Sequence, residues 1–490
     1  MNRSSRLLSI LPLLITSAAL LWAYASTLAP GLTWANSGAD GGDLATAAAT
    51  GGVPHPTGYP VYLLLAGIFQ RLPVGPLAFR TNLLSMAATI VAASVVYALT
   101  VRLLASAGAW TSRFGGVVAA LAYGLSPMVW SQAVITEVYA LHGLFLALLL
   151  YLSNEEALAI PARRLDALNG LALGLALGNH VTAVFLLPVV FLAGIRGWAS
   201  LFRRAVFFII GLIPYLILPL RAMTHPPVSW GDASTWDGFV WLVSGRLYQD
   251  ELFSFSAVQV WARTQSAAAL LLEQFGIPGV ALGLFGAVVF ASASRLHKSM
   301  IWLVLISFVF AIFYVTRDSF VYLLPAFLCF AVWIGVACGR LMESIPIRYA
   351  LPGRLIASLT LTAALVVWAL GTFPQVDASQ DARAETFGPA VLSQLPQGAL
   401  VFTKTDEAVF TLWYFHYALG ERPDVVVVAS DLLHHAWYQT TLRATYDQLN
   451  VPGPFPFEET IRQANPLSPA CYVDSSTVNV LCLPPAAQGP

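Results

Sequence analysis

The chain has 490 residues, of which 58% are hydrophobic and 10% charged, with a mean hydropathy of +0.72 and a formal net charge of zero. So few charges cannot solvate a soluble multidomain protein, and most of the chain must be dissolved in lipid, as a polytopic membrane protein. The neutral balance and the lack of any long basic run give no sign of nucleic-acid binding.

The first apolar run, 7–29, follows Arg3 and Arg6. It is long enough to span a bilayer, and this favours a retained first helix, although Ala23-Tyr24-Ala25 would also suit signal-peptide cleavage. The segment 30–79 is expected as short helices along the membrane surface. It holds Asp40-Gly41-Gly42-Asp43 and Val53-Pro54-His55-Pro56-Thr57-Gly58-Tyr59-Pro60. A helix starting near Gly41 would let Asp40 act as N-cap with Asp43 at N3. A carboxylate held rigidly at a membrane surface also suits a general base. His55, clamped between prolines, has little freedom, which suits a ligand contact, and Pro60 fits the first position of a helix.

Further apolar runs at 80–101, 114–127, 133–152, 166–178, 180–195, 203–220, 275–293, 299–315, 319–339 and 354–373 bring the expected spans to about eleven. Merging 166–178 with 180–195 is the alternative. Eleven spans with the N-terminus inside put Arg102, Arg113, Arg163, Arg164, Arg196, Arg203, Arg204, Arg295, Lys298, Arg340, Arg348 and Arg354 all in cytoplasmic loops. Merging breaks that positive-inside pattern, so Gly178-Asn179-His180 is expected as a tight turn on the outer face.

The same topology sends Asp40, Asp43, His55, Glu137, His180, Arg221, Asp232, Arg317 and Asp318 to the outer face. Glu137 falls in the first turns of a membrane helix, where an ionisable group is costly and points to function or to an interhelical hydrogen bond. Arg221 suits either snorkelling or phosphate binding. The outer segment 221–274 carries Trp230, Trp236, Trp241 and Trp261, and is expected as an interfacial loop with its indoles at headgroup level.

After the membrane domain, 1–374, the chain turns polar, and 375–490 is expected as a small extracytoplasmic α/β domain. Its expected elements are a strand at 400–402, a helix at 406–419, a buried strand at 424–429, a helix at 436–449 and a Pro-rich tail. Cys329 and Cys338, inside an apolar run, read as packing thiols, whereas Cys471 and Cys482 can pair in an oxidising compartment. No P-loop, Rossmann glycine pattern, HExxH, zinc spacing or Gly-x-Ser-x-Gly elbow is present. The outer carboxylates suggest a divalent cation, but no ligand set is evident, and no other cofactor is implied.

Asp40-x-x-Asp43 followed by His55-Pro56-Thr57-Gly58-Tyr59-Pro60 resembles the signature of the multi-pass family called domain of unknown function 2723. Thr136-Glu137-Val138-Tyr139-Ala140-Leu141, Leu177-Gly178-Asn179-His180, Pro219-Leu220-Arg221-Ala222, Trp230-Gly231-Asp232, Asp318 with Tyr322 and Pro325, and Arg422-Pro423-Asp424-Val425 fit as well. Many members carry Asp-Ser-Gly-Glu at the acidic pair, where this chain ends on the shorter Asp43. The family is related to GT-C glycosyltransferases and includes the protein O-mannosyltransferases of the eukaryotic secretory pathway. The resemblance implies a polyprenyl-phosphate-linked sugar donor, used on the non-cytoplasmic face of what would here be a bacterial inner membrane, with a protein or glycan acceptor. It also implies an acidic residue of the first outer loop at the reaction centre. Asp40 is then expected as the base, with Asp43 as its partner or substitute. His55, Arg221 and Arg317 would bind phosphate, and Glu137, His180, Trp230, Asp232, Asp318 and Tyr322 would shape the pocket. The alternative is a flippase or other transporter of lipid-linked sugar. It would require internal repeats and ionisable groups near mid-membrane, and neither is evident.

Overall fold

The computed structural model describes residues 3–154, 159–192, 195–252, 256–290, 294–314, 316, 319–345, 350–454 and 456–486. The fold is an all-helical membrane domain with a small α/β domain at its C-terminal end. Among the described residues, seven helices are long and apolar enough to cross a membrane, the first at Ile10–Thr27 and the last at Pro352–Val376. Ala109–Gly124 and Pro127–Ala133, bent by 69°, would make an eighth as one broken span.

Each of the eleven expected runs forms a helix, and those outside the seven are shorter or bent. The run expected at 133–152 gives up its first residues to irregular backbone around Glu137, leaving the 15-residue helix Tyr139–Ser153. The pair expected at 166–178 and 180–195 forms Ala162–Leu177 and the short apolar stretch Val181–Phe191. The tight turn between them is present. The backbone N–H groups of Asn179 and His180 both reach back to the Ala176 carbonyl, and His180 then N-caps the next turn.

Close packing depends on small residues, because lipid supplies no hydrophobic drive between helices. Ala162–Leu177 and Trp198–Gly211 approach so closely that a Cβ at Gly174 would lie 2.4 Å from the Phe208 carbonyl oxygen.

Two segments expected at the outer face differ in structure from expectation. The helix Ala257–Val289 begins well before 275 and kinks at Gly276, so only part of 221–274 is loop. Trp236 and Trp261 are exposed, but Trp230 is buried and Trp241 half-buried, both packed against Trp437 of the C-terminal domain. Within 30–79, the helix Gly41–Thr50 does not lie along the membrane surface. Residues 41–47 are buried beneath the C-terminal domain, and a Cβ on Gly42 would sit 2.5 Å from the Phe410 carbonyl oxygen.

The C-terminal domain holds a four-stranded sheet, in spatial order Val426–Ala429, Leu400–Thr403, Ala470–Val473 and Leu481–Leu483. β1 (Leu400–Thr403) pairs in parallel with β2 (Val426–Ala429) and β3 (Ala470–Val473), and β4 (Leu481–Leu483) runs antiparallel to β3. The expected strands and helices are present. The tail expected only as Pro-rich adds the helix Glu458–Ala464 and the last two strands, which Cys471 and Cys482 join by a disulfide. Cys329 and Cys338 are buried free thiols.

Two carboxylates clamp this domain to the segment that follows the first helix. Asp381 Oδ2 accepts hydrogen bonds from the Thr33 hydroxyl at 2.5 Å and from the backbone N–H groups of Trp34 and Ala35 at 2.9 and 2.8 Å. Glu385 Oε1 accepts from the Leu32 N–H at 2.7 Å. Burial opposes ionisation of Asp381, but Arg383 and Thr33 hold its carboxyl down at about 2.

Candidate functional site

Asp40 and Asp43 straddle the start of the helix Gly41–Thr50, and the expected capping pair does not form. Asp40 occupies the N-cap with helical backbone angles and makes no side-chain cap. Both carboxylates turn to His55 instead.

Asp43 is fully buried. Its Oδ2 accepts from the His55 backbone N–H at 2.8 Å and from Nδ1 at 2.7 Å, and its Oδ1 accepts from the Trp230 indole N–H at 3.3 Å. Across the ring, Nε2 lies 3.5 Å from Asp40 Oδ2 and 3.1 Å from the Tyr59 hydroxyl. Asp40 is about one-third exposed, so one carboxylate orients the imidazole from inside and the other meets solvent. Burial disfavours the charged ring, but Asp40 and Asp43 outweigh it and push His55 up to about 9. The ring is therefore an imidazolium at neutral pH, with both nitrogens donating.

The loop carrying His55 is fixed by its neighbours. Val53 donates to the Val228 carbonyl at 2.9 Å and accepts from the Trp230 N–H at 3.1 Å, a two-way bridge that sets the indole beside Asp43. Arg221 Nη1 donates to the carbonyls of Gly52 at 3.0 Å and Ala47 at 3.3 Å, so this cation buttresses the loop from behind. Pro60 opens the next helix, and Tyr59, just before it, adopts left-handed backbone that turns its hydroxyl back onto the Pro56 carbonyl and His55.

An aromatic wall continues from Tyr59. His180 stacks on Tyr59 with centroids 6.0 Å apart and meets Tyr139, His142 and Tyr322 at 5.4, 5.2 and 5.7 Å. His180 Nδ1 pairs with the Thr182 hydroxyl at 2.8 Å. Glu137 is buried at the start of this wall, where its charge also favours the protonated His55. The structure thus brings together Asp40, Asp43, His55, Glu137, His180, Trp230 and Tyr322. Asp232 sits in a neighbouring turn, accepting from the Ser234 hydroxyl at 2.5 Å. Arg317 and Asp318 lie outside the described residues.

Several contributors were not anticipated. Phe410, from the C-terminal domain, stacks on His55 at 6.4 Å and an interplanar angle of 14°. Asp406, one helical turn earlier on the same helix, stands at the rim. Enclosure raises its carboxyl above the ordinary value, against the pull of His55. Trp413 and Trp437 pack on Trp230. Tyr248 is electrostatically coupled to Asp40 and Asp406, and its buried hydroxyl is held well above its ordinary pKa. Arg263 closes the helix ending at Phe313 by donating to the carbonyls of Ala311, Ile312 and Tyr314 and to Ser319, which fixes the corner carrying Tyr314 and Tyr322. Tyr139 and His142 lie within a turn and a half of Glu137, a spacing visible in sequence. The residues from 406 onward had no such signal, because a separate domain delivers them.

Beside this cluster, a cavity of about 680 Å³ is lined by Trp236, Asp237, Trp241, Arg246, Gln249 and Asp250, among others. Among the described residues no group of three or more His, Cys, Asp or Glu side chains converges as a metal site.

Residues 40–197 match the family model for the protein O-mannosyl-transferase TMEM260 N-terminal domain, and 384–469 match TMEM260-associated domain 2. The mouse protein O-mannosyl-transferase TMEM260 is 27% identical over 457 residues, covering 85% of this chain and 62% of the relative. The Dictyostelium discoideum protein of the same name is 25% identical over 474 residues, covering 85% and 57%. The chain therefore spans about three-fifths of the length of these curated relatives. Among solved structures, ArnT from Cupriavidus metallidurans bound to undecaprenyl phosphate superposes with a TM-score of 0.59 at 13% identity, covering 97% of this chain and 93% of that one. The Archaeoglobus fulgidus oligosaccharyltransferase, in complex with zinc and sulfate, gives 0.51 at 11% identity, covering 89% and 66%. These likenesses show a GT-C-like fold, and the family resemblance read from the motifs holds.

Proposed function

We propose that this relative of the TMEM260 protein O-mannosyl-transferases is a membrane glycosyltransferase. It would move a hexose from a polyprenyl-phosphate carrier to a hydroxyl acceptor on the outer face of a bacterial inner membrane. The names of the relatives favour mannose as the sugar and a protein Ser or Thr as the acceptor. The observation that carries the reading is the Asp40–His55–Asp43 array under an aromatic wall, at the end of an apolar bundle.

Asp40, the carboxylate that meets solvent, takes the proton of the acceptor hydroxyl. The acceptor oxygen forms its bond to the anomeric carbon as the bond to the donor phosphate oxygen breaks, and polyprenyl phosphate leaves with that electron pair. A single displacement inverts the anomeric centre. The His55 imidazolium lies beside Asp40 and adds positive charge where the phosphate departs. Asp43 orients that ring without touching substrate. Arg221 would bind the carrier phosphate through the donors it does not spend on the loop carbonyls, since a guanidinium carries five. The aromatic rings offer flat apolar faces to a pyranose. The bound undecaprenyl phosphate in ArnT, which shares the fold, supports a lipid-linked donor here.

The test supplies purified protein with a panel of polyprenyl-phosphate sugars and measures free polyprenyl phosphate for wild type, Asp40→Asn and Asp43→Asn. Loss of turnover in Asp40→Asn with donor binding retained is expected. Full turnover in both variants would refute the assignment. Donor binding without any turnover in wild type would instead favour the transporter.

A further inference from the structure

The C-terminal domain holds a cavity of about 570 Å³ that the proposed chemistry does not use. It lies at the carboxyl ends of the parallel strands, where Lys404 follows β1, Ser430 and Asp431 follow β2, and Tyr472 belongs to β3. The chain leaves β1 for β2 on one side and returns from β2 to β3 on the other. The neighbours β1 and β3 therefore continue in opposite directions, and such a reversal opens the crevice in which α/β sheets bind ligands.

The lining selects a cation. Asp431, Glu458 and Glu459 ring the cavity with one lysine. Glu459 is paired with Arg462 at 2.9 Å and Glu458 with Lys404 at 3.4 Å. The Lys404 side chain is 63% exposed, and so solvated a pair contributes little, which lets a better-placed cation take over Glu458. Asp431 is exposed and has no hydrogen-bond or ion-pair partner among the described residues. Ser430 Oγ is buried in the wall and, among the described residues, is also without a partner, a polar group that a ligand would satisfy. Phe457, 58% exposed, and Tyr472 add aromatic faces, which attract cations as well.

The surrounding charge has the same sign. Residues 375–490 hold twelve Asp and Glu against five Lys and Arg, although the whole chain holds 25 of each. Asp406, two residues past Lys404, interacts electrostatically with both Asp431 and His55, so the cavity adjoins the reaction centre. From Lys404 to Phe410, whose ring stacks on His55, the chain runs two residues and then one helical turn, roughly 13 Å at most. An extended polypeptide covers that distance in about four residues.

We infer that this cavity binds a Lys or Arg side chain of the acceptor polypeptide, about four residues from the hydroxyl that reaches His55. Asp431 and Glu458 would meet the cation, and Ser430 the peptide backbone. That the polypeptide is an acceptor rests on the transferase reading, whereas recognition of a basic segment rests on the lining and charge of the cavity.

The test uses the full chain in neutral detergent and labelled peptides in which a Thr stands about four residues from Arg, Gln or Glu. Fluorescence anisotropy reads binding, and mass spectrometry reads sugar added to each peptide when a polyprenyl-phosphate sugar is supplied. The Arg peptide should bind about tenfold more tightly than the Gln peptide, the worth of one charge-assisted contact, and the Glu peptide more weakly than either. Asp431→Lys, at an exposed position, should erase or reverse that order. Asp447→Lys makes the same charge change at an exposed position that does not line the cavity, and should preserve it. Equal binding of the three peptides would overturn the proposal. So would an equal loss of preference in both variants, since the overall charge of the domain would then attract the peptide. Preference for Arg without any transfer would uphold basic recognition and count against the transferase reading. Transfer to all three peptides alike would do the reverse.

Discussion

Replacing Asp43 by Asn tests the internal wiring of the site without touching the carboxylate that meets solvent. In the wild type, folding raises the His55 pKa from 6.5 to about 9, which corresponds to roughly 3 kcal/mol of linked stability. The sign follows from the raised value. This stability is fully present below pH 6.5, declines as pH rises, and is gone above about pH 9. Asn keeps the shape but removes the charge behind His55 Nδ1. Burial still disfavours the imidazolium while Asp40 and Glu137 still favour it, so the pH-dependent stability should shrink but keep its sign. A second cost is independent of pH. Asn has one carbonyl oxygen for the two donors now on Oδ2, and its amide must then face the Trp230 N–H, donor against donor. One lost or inverted buried hydrogen bond costs about 1–3 kcal/mol. Thermal unfolding followed by tryptophan fluorescence, for both proteins at a series of pH values from below 6.5 to above 9, separates the two effects. An identical pH slope in wild type and variant would refute the coupling between Asp43 and His55.

Other outcomes follow from the same geometry. Arg263→Met strips the guanidinium from the carbonyls of Ala311, Ile312 and Tyr314; a loss of about 2–3 kcal/mol is expected, with donor affinity falling as the Tyr322 corner loosens. Gly174→Leu forces a side chain against the Phe208 carbonyl and should destabilise the protein by at least about 2 kcal/mol in a thermal melt, whereas a neutral result would exclude the close helix approach. Cys471→Ser with Cys482→Ser opens a loop of sequence separation 11 and should cost about 3 kcal/mol, and reductant should lower the wild-type melting point but leave the double variant unchanged. Phe410→Ala removes the ring stacked on His55; transfer should fall more than donor binding, and equal loss of both would place Phe410 on the donor side.

The apolar runs by themselves determined that this chain is a helical membrane protein, because a backbone in lipid must satisfy its own hydrogen bonds. Their arginine pattern also separated Ala162–Leu177 from Val181–Phe191 at the Gly-Asn-His turn, and the small apolar strand at 426–429 announced an α/β appendage. Local patterning could also propose Asp40, Asp43 and His55, since they lie within one short stretch. It could not divide labour between the two acids. That depended on Trp230 reaching Asp43 from nearly two hundred residues away and on Val53 pairing with Val228. Nor could it foresee that Gly41–Thr50 is roofed by Phe410, because hydropathy assigns a short helix beside a membrane to the lipid surface while docking by Asp381 and Glu385 buries it. Hydrophobic period and charge are properties of neighbours in the chain, so they fix helices and sides. Which carboxylate meets solvent, and which ring closes the cleft, is set by contacts between distant segments, and only the packed structure decides them.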